Sequence, residues 1–433
     1  MKARTSSSRG TAKAPGARSV ESAFRLAQER YAALGIDVEA AIRAANAVPL
    51  SLHCWQADDV AGLDRSAGGD AGGLAVTGNY PGAARTGDQI RGDLDFAAKL
   101  VPGKLRINLH SMYPENGGET AGRDRLKPAH FQNWIDWAKS RRYGLDFNPS
   151  PFGHPMMRDG LTLSSPDPKI AAYWLRHCLA ARDVAGAIAR QLGDCVFNVW
   201  IPDGSKDEPA DRLAPRLRLE KQLDRLFRKS MRGVYDMVES KLFGIGCESY
   251  TVGSNEFYMS YAMRRKNVGI CFDMGHFHPT ESVADKVSAV APYLKKILFH
   301  ISRGVRWDSD HVCVLNRDVQ DVCDQVVWGG FIGKSAIGLD YFDGSINRLA
   351  AYAIGARAVR KGLLQAFLAP VNMLKAAEAS GNKAARLGLF EYRSELPFGA
   401  VWDYCCLKAK TPIGISWFDE VDAYEKNVLS KRG

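Results

Sequence analysis

Eight times along this chain a short run rich in Val, Ile, Leu and Phe gives way to a helix-length amphipathic stretch, and that beat leaves few architectures open. The apolar runs fall at 48–55, 104–110, 143–148, 195–201, 234–239, 268–274, 297–302 and 336–340. The helical stretches between them fall at 89–100, 129–141, 169–192, 215–231, 255–266, 280–294 and 318–328. Nearly continuous apolar strands are those buried on both faces, and parallel neighbours need a crossover helix between them. Eight such units predict an α/β fold of one kind, a parallel (β/α)8 TIM barrel. The barrel with its lead-in helices is placed at 20–344, where 20–33 and 38–45 carry helical spacing. Residues 1–19 read as a disordered basic extension with almost nothing to bury. Residues 345–433 read as a C-terminal helical region for packing and oligomer contacts. The Gly- and Asp-rich stretch 56–86 follows the first strand and reads as a long loop over the barrel mouth.

Barrel enzymes build their sites at the C-terminal strand ends, and here those ends are polar in every case. In order they offer His53 and Trp55; His110; Asn148; Trp200 and Asp203; Glu239 and Lys241; Asp273 and His276; His300, Asp308 and Asp310; and Asp340. The stretch 267–311 is the densest, with two apolar runs that each end in a group of Asp and His. Carboxylates and imidazoles without Cys suit a hard divalent ion such as Mn²⁺, Mg²⁺ or Co²⁺. The inventory is too large for one ion and fits two neighbours sharing a carboxylate or a water. Glu239, Asp273, His300 and Asp340 come from four successive strands, whereas His276, Asp308 and Asp310 lie further out. Lys241, two residues beyond Glu239, is placed on the same side of an extended chain, beside the ion. Trp55, Trp200 and Phe342 read equally as core aromatics or as the apolar wall of a pocket. His278 and Cys271 read as a loop residue and a core residue.

The net charge of +10 raises the question of nucleic acid, but Lys2, Arg4, Arg9, Lys13 and Arg18 supply half of it within twenty residues that hold no acid. The remaining surface is ordinary, and no nucleic-acid partner is expected. No run of 18 apolar residues suggests a membrane span. The nine Cys are scattered, several inside apolar runs and none in a CxxC pair, which points to a reducing, cytoplasmic setting. A metal-dependent phosphodiester hydrolase on the same barrel type is the alternative from another class. It would call for a basic face and more His among the ligands. A sugar-binding barrel without catalysis is the third reading.

The motifs S-L-H-C-W-Q at 51–56, T-G-N-Y-P-G at 77–82, G-L-D-F-N-P-S at 144–150 and N-V-W-I-P-D-G at 198–204 resemble the L-rhamnose isomerase family. So do E-S-K-L-F-G-I-G at 239–246, G-H-F-H-P-T-E at 275–281, V-R-W-D-S-D-H-V at 305–312 and I-G-L-D-Y-F-D at 337–343. The resemblance runs from about residue 20 to the C-terminus. It implies a xylose-isomerase-like barrel, a homotetramer, and interconversion of L-rhamnose and L-rhamnulose by a metal-assisted 1,2-hydride shift in the open-chain sugar. By the same resemblance Glu239, Asp273, His300 and Asp340 would hold a structural ion, with Zn²⁺, Co²⁺ or Mg²⁺ as possible occupants. His276, Asp308 and Asp310 would hold the catalytic ion, usually Mn²⁺. Lys241, Asp308 and Asp340 are the expected catalytic residues, and His110, Trp55, Trp200 and Phe342 the expected sugar contacts.

Overall fold

The computed structural model describes residues 14–64, 76–115, 122–243, 249–305 and 307–432, and for 307–309 the backbone alone. Its centre is a closed barrel of eight parallel strands in sequential order. The strands are β1 (Leu50–His53), β2 (Leu105–His110), β3 (Gly144–Asn148), β4 (Cys195–Trp200), β5 (Val234–Glu239), β6 (Val268–Asp273), β7 (Ile297–Ile301) and β8 (Ser335–Leu339). Each lies within a residue or two of its expected run. Trp55 departs from that expectation, since the chain leaves β1 at His53 and enters a single turn, Cys54–Gln56.

Strand side chains alternate between faces, and here the alternation separates two kinds of chemistry. Outward residues such as Phe147, Phe197, Ile270, Phe272, Phe299 and Ile337 join the large core beneath the helices. Inward residues form layers. At the N-terminal end Arg106 binds Asp146, which also accepts from Ser51. Above that plug lies a small apolar layer of Val196, Met237, Cys271 and Leu298. The register then pairs Glu239 with Cys271, Asp273 with His300 and His300 with Gly338, which sets the polar strand ends side by side at the C-terminal mouth.

Three departures have physical causes. The helix expected at 215–231 is Leu213–Leu226. Arg182 donates to the carbonyls of Leu226 and Lys229 and pairs with Asp236 at 2.7 Å, so these carbonyls turn toward a buried guanidinium instead of continuing the helix. Helix Ala17–Ala32 begins inside the segment expected to be unstructured, while residues 1–13 lie outside the described residues. Helix Arg348–Phe367, assigned from the sequence to the appended region, packs against Arg317–Trp328 and Val38–Ala47 and completes the ring around the barrel. Arg348, Arg357 and Arg360 are all buried, and Arg357 and Arg360 donate to backbone carbonyls of neighbouring segments. Of the loop expected at 56–86, residues 65–75 lie outside the described residues.

Two fully buried histidines tie the loops above the barrel together. His177 Nδ1–H donates to the Arg123 carbonyl at 2.9 Å, and its Nε2 accepts the Ser150 N–H at 2.9 Å. His53 Nε2 meets the Tyr341 carbonyl. Burial lowers His53 from its usual 6.5 to about 4 and His177 to about 3, so both are neutral in the folded chain. Between pH 6.5 and about 4 the unfolded chain therefore takes up more protons than the folded one, and stability falls as pH drops through that window. The limiting slope is about 1.4 kcal/mol per pH unit for each such group. Urea unfolding of the metal-free protein across that window should show the loss. His177→Gln, which retains a donor and an acceptor but does not titrate there, should flatten it.

Candidate metal centre

At the barrel mouth Glu239, Asp273, His300 and Asp340 each offer one ligand atom, all within 4.8 Å of one another. They stand at or just past the ends of β5, β6, β7 and β8. His300 Nδ1 lies 3.2 Å from Glu239 Oε1 and 2.9 Å from Asp340 Oδ2. Asp273, His276 and Asp310 form a second such group, so Asp273 belongs to both. Asp310 reaches the mouth on an antiparallel hairpin, Arg303–Val305 with Trp307–His311, where the sequence suggested a loop. The Phe342 N–H donates to the Asp310 carbonyl and holds this hairpin to the segment after β8. Asp308 is on the same hairpin, but its side chain lies outside the described residues.

Three carboxylates around one imidazole, two of them buried and Asp340 partly so, are an unstable collection without a cation. Burial and the adjacent Asp340 and Glu239 charges push Asp273 up to about 7, against the pull of His276. Burial acts upward on Asp340 as well, but His300 beside it outweighs that and brings it down to about 2. Burial opposes charge on His300, yet the Glu239 and Asp340 carboxylates beside it hold its pKa well above the ordinary histidine value. An imidazolium thus occupies the role of counter-ion. Asp273 Oδ2 and His300 Nε2 are buried with no hydrogen-bond partner among the described residues. Both unpartnered atoms and the excess of negative charge fit a divalent ion of the hard, oxygen-preferring kind.

Neighbouring groups fix the ligands in place. Asn198 donates to Glu239 Oε2, and Ser302 and the Gly275 N–H both donate to Asp273 Oδ1, at 2.6 and 2.7 Å. Trp55 Nε1–H donates to Asp340 Oδ1 at 3.1 Å. Such partners orient a ligand before any ion arrives. Asn198 and Ser302 were not singled out from the sequence. The signal for Asn198 was its place two residues before Trp200 on an inward-facing strand position.

Glu239, His276, His300, Asp310 and Asp340 line a cavity together with Trp55, His110, Phe152, Trp200 and Phe342. His110 Nδ1 is 3.1 Å from Ser150 Oγ, and Ser150 in turn is held by His177. All four residues expected to contact a ligand are therefore brought together. Lys241 is not among them. After Glu239 the chain leaves the ladder, with the Lys241 N–H bonded to the Gly253 carbonyl, so the two-residue alternation no longer applies. Its ammonium donates to the Pro202 carbonyl at 3.3 Å, lies 5.4 Å from the Trp200 ring centre, and borders an adjoining depression that shares His276. Two strand-end groups prove structural. Asp203 is buried and accepts from Thr162 and Ser164, and His53 is spent on Tyr341.

The family model described as L-rhamnose isomerase (RhaA) matches residues 18–432. The L-rhamnose isomerase of Salmonella paratyphi A is 51% identical over 416 residues, covering 95% of this chain and 99% of that protein. The enzyme of the same name from Salmonella typhimurium shows the same figures. Among solved structures, an L-ribulose 3-epimerase aligns at TM-score 0.47 and 12% identity, covering 73% of this chain and 95% of that one. D-psicose 3-epimerase from Clostridium cellulolyticum aligns at TM-score 0.43 and 11% identity, covering 73% and 96%.

Proposed function

The chain belongs to the L-rhamnose isomerase family and is an aldose–ketose isomerase of rhamnose, and we propose that it works through divalent ions held at the barrel mouth. The observation that carries this reading is the convergence of Glu239, Asp273, His300 and Asp340 on one point at a cavity that aromatic residues also line. In this reading those four hold a structural ion, and His276, Asp308 and Asp310, with Asp273 adjacent, hold a catalytic one. Mn²⁺ is the proposed occupant of the catalytic position. When bound, such ions polarise sugar oxygens and lower the cost of negative charge on them.

The chain's own residues have separate tasks. Trp200, Trp55 and Phe342 pack the carbon chain of the open sugar and keep water from it. His110, neutral because burial lowers its pKa to about 4, donates to or accepts from a sugar hydroxyl without adding charge. The hydrogen bond from Trp55 aims Asp340 at the same point. Lys241 borders the adjoining depression that shares His276 and stays in the proposed catalytic set alongside Asp308 and Asp340. With O1 and O2 held in this way, hydride passes from C2 to C1 of the sugar while the O2 hydroxyl gives up its proton and O1 takes one up, so that no carbon-bound hydrogen is exchanged with solvent. A cytoplasmic homotetramer completes the proposal.

Turnover of L-rhamnose in D₂O tests the route. The expected L-rhamnulose carries almost no deuterium at C1, whereas near-complete labelling there would establish an enediol route and overturn the hydride shift.

A further inference from the structure

Directly beneath the hard-ligand group lies a second one of different chemistry. Glu239, Cys271 and His300 each offer a ligand atom, and these three atoms also lie within 4.8 Å of one another. All three residues are buried, and Cys271 is fully so. Its position follows from the register. Cys271 stands two residues before Asp273 on β6, on the same inward face, and is paired with Glu239 across the ladder. The thiol therefore belongs to the apolar layer with Met237 and Leu298 and also borders the carboxylate layer above it. His300 Nε2, buried and without a hydrogen-bond partner among the described residues, is a further unused ligand atom in this group.

We propose that Glu239, Cys271 and His300 form a thiophilic-ion site, one layer below the hard-ion site and exclusive with it, that captures Zn²⁺ or Cd²⁺ in place of the working ion. The proposal rests on the reading that the upper group holds a divalent ion. One oxygen, one sulfur and one nitrogen are the ligand set of a borderline or soft ion, whereas three oxygens and one nitrogen suit a hard one. Tetrahedral zinc ligands stand about 3.5 Å apart, and Glu239 Oε1 and His300 Nδ1 are already 3.2 Å apart. Glu239 and His300 are common to both groups. An ion in the lower site thus withdraws two ligands from the upper one, and the two cannot be filled together. Coordination forms a metal–sulfur bond, and the thiol proton leaves to solvent.

The test uses the full chain stripped of metal, with Co²⁺ and Cd²⁺ as probes. Co²⁺-loaded protein is expected to show a near-ultraviolet thiolate-to-cobalt charge-transfer band, and Cys271→Ser to lack it while still binding an ion. In competition, the Cd²⁺ concentration that releases bound Mn²⁺, followed by the electron paramagnetic resonance of the freed Mn²⁺, is expected to rise about tenfold or more in Cys271→Ser. Cys271→Ala provides the same comparison should serine disturb the apolar layer. Bound Co²⁺ with no such band in the unmodified protein would overturn the proposal. So would a band that survives in both variants, since it would come from another thiol. Failure to bind Mn²⁺ at all would instead remove the upper site, and the lower one with it.

Discussion

Replacing Glu239 with Gln is expected to lower kcat/KM for L-rhamnose by about 10³-fold or more while leaving the fold intact. The substitution is isosteric, and Gln retains an oxygen for the Asn198 donor that now meets Oε2. What it removes is charge. Glu239 Oε1 lies 3.2 Å from His300 Nδ1 and 3.6 Å from His276 Nδ1, at the junction of the two ligand groups. An amide there offers a weaker oxygen to an ion, and its N–H₂ half repels one. The loss should therefore appear in bound metal as well as in rate. Metal analysis of the purified variant beside its kinetics checks both. A variant with full metal content and full activity would remove Glu239 from the centre.

The second large effect is on stability and begins far from the chemistry. Asp236→Ala is expected to destabilise the chain by about 3–5 kcal/mol, because it leaves a buried guanidinium without its counter-charge. Asp236 and Arg182 are 2.7 Å apart, with side chains 2% and 6% exposed. Burial alone would raise Asp236, and Arg182 is what opposes this. The pair joins helix Pro168–Leu192 to β5, three residues before Glu239, so its loss also loosens the strand that carries a ligand. Urea unfolding of the variant measures the first effect. Replacing Arg182 and Asp236 together with Met and Leu should recover much of the stability, because it removes the orphaned charge as well as the bond.

Most of what positions the site was legible in the sequence, for identifiable reasons. Strands buried on both faces must be apolar over their length, so 234–239 and 268–274 were visible as runs, and Glu239 and Asp273 stood out as the polar groups that end them. The inner layers were less visible. Arg106 and Asp146 read as ordinary charges, because no local pattern says that two inward positions on neighbouring strands will meet inside a barrel. Lys241 was placed by strand alternation that stops where the ladder stops. Trp55 was a choice between core and pocket, and its hydrogen bond to Asp340 gives it both functions. The buried arginines of Arg348–Phe367 reach carbonyls distant in sequence, so no local pattern set this barrel helix apart from the appended helical region. In each case the missing information was a contact between residues distant in sequence.

In the proposed mechanism isomerisation depends on ions held by the strand-end carboxylates and His300. Ketose formation from L-rhamnose by the metal-stripped protein tests it most directly, before and after Mn²⁺ is returned in counted amounts. Background activity is expected without metal, and recovery in proportion to the Mn²⁺ bound. Full turnover by protein shown to hold no divalent ion would contradict that mechanism.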